Sequence, residues 1–240
     1  MLYQQDLAWV QSVAFGSFAR GAAPEIIRRL KTAAAPVRRV LEIGCGAGPL
    51  TEALTQAGFE VTAIEPSADL IAIARAAAPA ADFIHGSVYD VPLPPSDAIV
   101  ALGEPLTYHD NPEDAGRLLL DFFHRAAAAL PAGGPLIFDI IETGDPSLTA
   151  RGWRSGDGWA ILFDASEDAA AKTLVRNIEI FRQTGDACRR SREIHRVRLF
   201  DAALLRAQLE SCGFRVETAA SYGAQPLLPR RRAFFAVKSA

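Results

Sequence analysis

The most informative segment of this 240-residue sequence is Leu41-Glu42-Ile43-Gly44-Cys45-Gly46-Ala47-Gly48. It ends a short strand, predicted over residues 37–43, and opens a helix predicted over residues 49–57 with Pro49 in its first turn. Glycine lets the main chain take positive φ and lets a ligand approach closely. The N-terminus of a helix offers free N–H groups to an anion. The segment therefore predicts a strand–turn–helix unit that binds a ligand.

A carboxylate follows the next predicted strand, residues 60–64, at Glu65, which lies 17 residues after Gly48. In a parallel sheet this places Glu65 beside the glycine turn, at the carboxyl edge where such sheets bind ligands. A carboxylate there can accept hydrogen bonds from both hydroxyls of a ribose. These features indicate a cofactor that contains adenosine.

Two positions discriminate between cofactors. The dinucleotide fingerprint G-x-G-x-x-G needs a glycine at position 49, where this chain has proline. Glu42 lies two residues before Gly44, at the end of a buried strand. Burying a lone carboxylate is costly unless a cation pairs with it or a donor forms a hydrogen bond to it. S-adenosylmethionine carries an ammonium and a sulfonium, whereas a pyrophosphate would repel Glu42. The residues favour S-adenosylmethionine over NAD.

Strands and helices alternate along this part of the chain. Further strands are predicted at residues 82–85, 97–102 and 136–141, and further helices at 67–78, with Ser67 as N-cap, and 113–130. This alternation predicts an α/β fold with a Rossmann-like, doubly wound and mostly parallel sheet. The last two strands, 216–221 and 233–238, are joined by a loop too short for a crossover helix, so they should pair antiparallel.

Two segments fall outside the alternation. Residues 1–35 are predicted to form a helical N-terminal cover, whose first helix breaks near Gly16 and Gly21 and whose second begins at Pro24. Three strands joined by turns are predicted at 159–164, 174–183 and 189–198. They form a small antiparallel β flap over residues 146–199, interpreted as a substrate cover, inserted into a core made of residues 1–145 and 200–240.

Composition excludes several classes of function. Lys and Arg number 25 against 28 Asp and Glu, and no long basic run marks a nucleic-acid surface. No apolar run approaches the roughly 18 residues of a membrane span, and the polar N-terminus is unlike a secretory signal. Arg230, Arg231 and Arg232 are expected to flank a strand end as solvated charges. Cys45, Cys188 and Cys212 have no disulfide or metal spacing, which indicates a cytoplasmic protein without a metal site.

Five segments together resemble the motifs of class I S-adenosylmethionine-dependent methyltransferases of the small-molecule type. They are Val40-Leu41-Glu42-Ile43-Gly44-Cys45-Gly46-Ala47-Gly48, Val61-Thr62-Ala63-Ile64-Glu65-Pro66-Ser67, residues 82–94, residues 97–103 and residues 130–137. The resemblance covers residues 37–141 well and 200–238 more loosely. It implies transfer of a methyl group from S-adenosylmethionine to an oxygen or nitrogen atom of a small metabolite.

The resemblance also implies roles for single residues. Glu42, Gly44 and Gly46 would border the methionine part of the cofactor, and Glu65 would hold the ribose hydroxyls. Ser87 stands where many relatives carry Asp, so its hydroxyl would accept a hydrogen bond from the adenine amino group. The other implied contacts are the Val88 N–H on the adenine ring, Leu102 and Gly103 beneath the sulfonium, and Cys45, Gly48 and Pro66 in the two cofactor motifs.

In similar methyltransferases an N-terminal segment covers the cofactor. This adds Tyr3 and Arg20 as candidate cofactor-binding residues, with Arg20 pairing with the methionine carboxylate. For Arg20 the alternative is a solvated charge at a helix end.

Methyl transfer requires the nucleophile to be held in line with the C–S bond, and a base is needed only if the nucleophile arrives protonated. Tyr108 and His109 follow the fourth strand, where they would orient that nucleophile. The alternatives are that Tyr108 only walls the pocket and His109 caps the loop. His195 is a candidate base if the flap folds over the pocket, and otherwise a packing residue. Trp153, Trp159 and Phe163 are expected to form the small core of the flap rather than an aromatic substrate wall.

Two other functions stay in consideration. A non-catalytic or regulatory protein could keep the fold and the cofactor site without the chemistry. An NAD(P)-dependent oxidoreductase is disfavoured by Pro49 and Glu42 and by the absence of a Tyr-x-x-x-Lys pair. The oligomeric state is not predicted.

Overall fold

The structure is a computed structural model that describes residues 2–108 and 114–239. Its helices are α1 (Gln5–Ala14), α2 (Ser17–Lys31), α3 (Pro49–Gln56), α4 (Ala68–Ala77), α5 (Ala115–Ala129) and α6 (Ala202–Ser211). The first strands are β1 (Arg39–Ile43), β2 (Glu60–Glu65), β3 (Asp82–His85), β4 (Ala98–Ala101) and β5 (Pro135–Ile141). They are followed by β6 (Ala150–Gly156), β7 (Trp159–Asp168), β8 (Thr173–Thr184), β9 (Ala187–Arg198), β10 (Phe214–Ala219), β11 (Ser221–Tyr222), β12 (Gln225–Pro226) and β13 (Arg231–Lys238).

The central sheet has seven strands in the order β10-β13-β5-β4-β1-β2-β3. Strands β1 to β5 are mutually parallel. Strand β13 runs antiparallel to both of its neighbours, β5 and β10. The predicted Rossmann-like sheet, mostly parallel with a final antiparallel pair, is confirmed. The order changes direction at β1, and this brings the ends of β1, β2 and β4 together at one edge.

Hydrophobic cores cover both faces of this sheet. On one face Phe122 and Phe123 of α5 pack with Phe138 of β5 and Phe234 of β13. The Phe138 and Phe234 rings are stacked with centroids 4.8 Å apart. On the other face α2 and α3 pack against β1 and β4. All seven residues of β5 are buried, which explains why this segment reads as a continuous apolar run rather than an alternating one.

The N-terminal helices differ from the prediction. Helix α2 begins at Ser17 and continues through Gly21 and Pro24, so the expected start at Pro24 is wrong. Its buried residues, Ala22, Ala23, Ile26 and Leu30, pack on the sheet, and this packing overrides the poor helix propensity of glycine and proline. A Cβ on Gly21 would lie 2.0 Å from the end of the flexible Gln225 side chain, which would have to shift.

The inserted flap is a four-stranded antiparallel sheet in the order β6-β7-β8-β9, one strand more than predicted. Strand β6 has no alternating apolar pattern, and its residues are exposed or half-buried. The expectation that Trp153 belongs to a flap core is wrong, since its side chain is 71% exposed. Trp159 packs both with Ile161 and Ile180 of the flap and on the N-terminal cover, with its ring centroid 6.3 Å from that of Phe15.

The flap is attached to the core by buried charges and by backbone pairing. Arg230 donates to the Glu167 carboxylate at 2.7 Å, and both side chains are only 4% exposed. Arg176 of the flap pairs with Glu104 of the core at 3.2 Å, and Arg231 of the core pairs with the same carboxylate away from solvent. The expectation of solvated charges is therefore wrong for Arg230 and Arg231. Strand β9 forms an antiparallel bridge from Val197 to Tyr108 of the core.

Candidate cofactor and acceptor site

A cavity of about 790 Å³ opens at the carboxyl ends of β1, β2 and β4. Its floor is the glycine loop that joins β1 to α3, and its sides include α1, α2 and the loop after β4. Ile194 and Arg196 of the flap strand β9 lie at its rim. The cavity therefore lies where the predicted α/β topology places a ligand.

The glycine loop owes its shape to left-handed backbone conformations. Gly46 has φ of 57° and Gly48 has φ of 87°. A Cβ on Gly48 would lie 3.0 Å from the Ala74 main chain, whereas a Cβ on Gly46 would meet no atom within 4 Å. Gly48 is thus needed for the packing of α3 on α4. Gly46 lines the cavity and keeps its wall free of side chains.

Glu65, at the end of β2, lies beside this loop. Its carboxylate accepts the Gly46 N–H at 3.1 Å and the Ser67 N–H at 2.9 Å. The side chain is almost fully buried, and burial raises the pKa of Glu65 above its usual value. Ser67 caps α4 by accepting the Leu70 N–H, as predicted. The geometry presents one carboxylate and a bare main-chain turn to the same end of the cavity.

Glu42 lies beneath the glycine loop and not in the cavity wall. Its carboxylate accepts the Thr51 hydroxyl at 2.7 Å, in the first turn of α3. The side chain is buried, and burial raises its pKa from 4.5 to about 7. Thr51 supplies the donor that burial of a carboxylate requires.

Most of the residues singled out from the sequence meet in this one cavity. Those that line it are Tyr3, Arg20, Gly44, Cys45, Gly46, Glu65, Pro66, Ser87, Val88, Leu102, Gly103 and Tyr108. Glu42, Gly48 and His195 lie behind the wall. His109 is outside the described residues. Trp153, Trp159 and Phe163 are not part of the lining.

A family model described as a methyltransferase domain matches residues 40–134. This range begins in β1, includes the glycine loop, Glu65 and Ser87, and ends just before β5. Residues 40–134 of this chain therefore resemble a methyltransferase domain.

Individual relatives extend this likeness. An uncharacterised methyltransferase of Mycobacterium bovis is 36% identical over 93 residues, which are 38% of this chain and 37% of that protein. The match thus spans well under half of the relative's length. An S-adenosylmethionine-dependent methyltransferase of Clostridium acetobutylicum superposes with a TM-score of 0.80 at 16% identity, over 97% of both chains. The sugar N-methyltransferase KedS8 of Streptoalloteichus superposes with a TM-score of 0.77 at 19% identity, over 98% of this chain and 92% of that one. At these identities the two structures show a shared fold.

The loop after β4 is held by a buried acid that the sequence analysis did not single out. Asp139 of β5 accepts the N–H groups of Gly103 at 2.9 Å and Glu104 at 3.0 Å. It also accepts the Tyr222 hydroxyl at 2.9 Å. Burial raises the pKa of Asp139 from 3.8 to about 7. The available signal was an aspartate inside the apolar run 136–141, since a charge there requires donors.

Beyond Gly103, a polar network extends from the cavity wall into the flap. The Tyr3 and Tyr108 hydroxyls are 3.1 Å apart, and Arg176 of β8 donates to Tyr108 at 3.3 Å. Arg176 also pairs with Glu104 at 3.2 Å, and Arg231 pairs with the same carboxylate. Arg176, Glu104 and Arg231 are distant in sequence, so no motif marks them as a group.

His195 packs behind Tyr3. Its side chain is 1% exposed, and its Nε2 lies 2.8 Å from the Glu193 carboxylate. Its ring centroid lies 4.8 Å from that of Tyr3 and 5.8 Å from that of Tyr108. His195 is not among the described residues that line the cavity, but its ring contacts two tyrosines that do line it.

Arg20 of α2 lies at the cavity with its guanidinium folded over Gly16, where a Cβ would be 2.7 Å from Nη1. No ion pair of Arg20 is found with the carboxylates of the described residues. Within the same part of the chain, no group of His, Cys, Asp and Glu is arranged to hold a metal ion. The helices of residues 2–108 and 114–239 include none with the length and apolarity to cross a bilayer.

Proposed function

We propose that this protein transfers a methyl group from S-adenosylmethionine to an oxygen or nitrogen atom of a small metabolite. The observation that carries the proposal is the Glu65 carboxylate 3.1 Å from the Gly46 N–H, at the cavity in which the methyltransferase motifs converge. A carboxylate beside a glycine turn suits a ribose, whose two hydroxyls can donate to it while the main chain allows close contact.

The residues of the cavity divide into a nucleoside end and a methionine end. Glu65 would hold the ribose, and Ser87 and the Val88 N–H would contact the adenine. Arg20, whose guanidinium forms no ion pair with a carboxylate of residues 2–108 or 114–239, would pair with the methionine carboxylate. Leu102 and Gly103 would lie against the sulfonium, with Glu42 adding negative charge from behind the loop. The cofactor supplies an electrophilic methyl group, and the leaving thioether needs no proton.

The acceptor would enter between Tyr3, Tyr108 and the flap. Two hydroxyls 3.1 Å apart can hold a nucleophile by hydrogen bonds and direct its lone pair toward the methyl group. In this arrangement His195 acts by fixing Tyr3 and Tyr108 rather than by touching the acceptor. The structural neighbour KedS8 is a sugar N-methyltransferase, which supports placing amines beside hydroxyls in an acceptor screen.

The three cysteines are free, and on that basis we assign the reaction to a reducing cytoplasm. The nearly balanced charge supports a small-molecule acceptor rather than a nucleic acid. The presence of Ile194 and Arg196 of β9 at the cavity rim supports a role for the flap as the substrate cover.

The test of the cofactor site is calorimetric titration with S-adenosylhomocysteine. Glu65→Gln should weaken binding by about 1–3 kcal/mol, roughly 5- to 150-fold, because a charge-assisted hydrogen bond is lost. Glu60→Gln is the matched control, since Glu60 begins the same strand and pairs with Arg38 at the surface. NAD should not bind. Equal affinity of wild type and Glu65→Gln, or binding of NAD in place of S-adenosylhomocysteine, would refute the proposed site.

A second measurement separates an enzyme from a binding protein. The wild-type protein is incubated with methyl-labelled S-adenosylmethionine and an extract of small metabolites. We expect label to enter amines or alcohols and the Glu65→Gln variant to slow this transfer. Tight cofactor binding with no transfer to any extract would favour the non-catalytic alternative.

A further inference from the structure

We infer that Glu193 of β9 is a positioning residue: it holds the N-terminal segment, residues 2–4, closed over the cavity and thereby places Tyr3. The identity of the bound cofactor rests on the proposed function, but the closure itself does not. No motif contains Glu193, and its carboxylate does not line the cavity. It acts through the main chain of residues 2–4, the segment that contributes to the cavity wall.

Both oxygens of the Glu193 carboxylate are engaged by that segment. One accepts the Tyr3 N–H at 2.7 Å and the other accepts the Gln4 N–H at 2.8 Å. His195 Nε2 lies 2.8 Å from the oxygen that binds Tyr3. Glu193 is 5% exposed, so these contacts compete with little water. The carboxylate also faces the start of α1, where free N–H groups favour negative charge.

Tyr3 is held in an unfavourable backbone conformation by contacts on every side. Its φ is 51°, in the left-handed region of backbone conformation that residues other than glycine rarely adopt. Its carbonyl accepts the Ser67 hydroxyl at 2.6 Å, and its own hydroxyl lies 3.1 Å from that of Tyr108. Tyr3 therefore joins the flap, the turn beside Glu65 and the loop after β4. Without Glu193, nothing else among the described residues bonds to the N–H groups of Tyr3 and Gln4.

The hydrogen bonds from the Tyr3 and Gln4 N–H groups to Glu193, here called the latch, have a functional consequence because of where this segment lies. Leu2 and Tyr3 form part of the cavity wall, so a ligand seated beneath them leaves more slowly while they stay in place. An amide in place of the carboxylate offers one acceptor oxygen, so one of the two buried N–H donors loses its acceptor, which favours local opening over global unfolding. Opening would release the ligand and also remove the Tyr3 hydroxyl from the acceptor end.

The experiment compares Glu193→Gln with Glu167→Gln. Glu167 is a matched control because it is also a buried flap carboxylate, paired with Arg230 and accepting the Leu148 N–H, but remote from the cavity. Amide hydrogen exchange of Tyr3 and Gln4 should be roughly 10- to 100-fold faster in Glu193→Gln and unchanged in Glu167→Gln. The dissociation rate of S-adenosylhomocysteine, measured by stopped flow, should rise in Glu193→Gln by a similar factor.

The variant Tyr3→Ala keeps the test informative if Glu193→Gln fails to fold, because it removes no buried charge. It should also release S-adenosylhomocysteine faster, and adding Glu193→Gln to it should change the rate by less than threefold. Wild-type exchange at Tyr3 and Gln4 in Glu193→Gln would overturn the inference, as would an unchanged ligand dissociation rate in Tyr3→Ala. If the wild-type protein binds no S-adenosylhomocysteine, the proposed function fails, while the exchange comparison still decides the latch.

Discussion

Two acids of the central sheet lie beneath loops that border the cavity. Glu42 supports the glycine loop through Thr51, and Asp139 supports the loop after β4 through two N–H groups. Burial raises the pKa of each to about 7, so near neutral pH each exchanges between a neutral and a charged form. A cation bound at the methionine end would favour the charged form of Glu42.

The pKa of Glu42 leads to a prediction about stability. Because it rises from 4.5 to about 7 on folding, the folded protein holds this proton more tightly than the unfolded chain. The contribution of Glu42 to the free energy of unfolding is therefore highest below pH 4.5 and falls as pH rises toward 7. Because one pKa unit corresponds to 1.36 kcal/mol, Glu42→Gln should reduce the decline in the free energy of unfolding by up to about 3 kcal/mol.

Urea unfolding at pH 5 and pH 8 checks this. The difference in free energy of unfolding between the two pH values should be smaller in Glu42→Gln than in wild type. Glu60→Gln, whose carboxylate is exposed on the next strand, should keep the wild-type difference. Equal pH dependence in wild type and Glu42→Gln would contradict the assignment.

At this scale, local chemistry made the cofactor-side residues predictable. The glycines of the loop and Glu65 lie within 22 residues of one another, and parallel pairing brings them together without long-range detail. Asp139, Arg176 and Glu193 were missed because each acts on a segment far away in sequence. The side chain of Glu193 reaches residues 3 and 4, and no spacing rule links positions nearly two hundred residues apart.

Among the elements, those with strong periodicity or clear caps were predictable and those without were not. Strands β1 to β5 and helix α4 lie close to their predicted bounds. Strand β6 was missed because its stability comes from pairing with β7, not from apolar alternation. The β11–β12 hairpin is two residues per strand and too short for any pattern.

Helix α2 offers a prediction of its own. Pro24 is exposed in the interior of this helix and lacks the N–H that would bond to the preceding turn. Pro24→Ala should therefore raise the free energy of unfolding by about 1–3 kcal/mol. Urea titration measures the change. Pro79→Ala, just beyond the end of α4, is the control and should stay within about 0.5 kcal/mol of wild type. A destabilised Pro24→Ala would show that proline is needed for the path of α2.

Across the whole molecule, the flap and the core meet through paired charges as well as apolar contacts. Arg230 donates to the Glu142 carbonyl of the core, and to the Pro146 carbonyl and the Glu167 carboxylate of the flap. The N-terminal helix α1 joins from the other side, with Leu7 and Val10 packed on Ile161 and Ile180. Flap, cover and core thus form one continuous structure around the cavity.

Loss of the ion pair between Arg230 and Glu167 should strongly destabilise the folded protein. Arg230→Met leaves the Glu167 carboxylate buried without its cation, which should lower the free energy of unfolding by about 3–5 kcal/mol. Equilibrium urea unfolding gives the value. Arg215→Met, exposed on β10, controls for loss of one positive charge. A loss below about 1 kcal/mol for Arg230→Met would mean that water replaces the pair easily.

At this scale the architecture was predictable and the closure of the site was not. Alternating patterns specify which strands are buried and in what order they can connect. The contacts of Tyr3 with β9, Ser67 and Tyr108 depend on where three separate segments meet after folding. Such contacts follow from packing of the completed molecule, which no local pattern encodes.

The placement of β13 between β5 and β10 has a consequence for how the chain matures on the ribosome. Residues 231–238 are translated after everything else in the sheet, yet they fill an interior slot and not an outer one. Until they emerge, one edge of β5 stays unpaired and available to other nascent chains. We expect nascent chains that are stalled before position 231 to bind holdase chaperones. Chains that include residues 231–238 should not bind them.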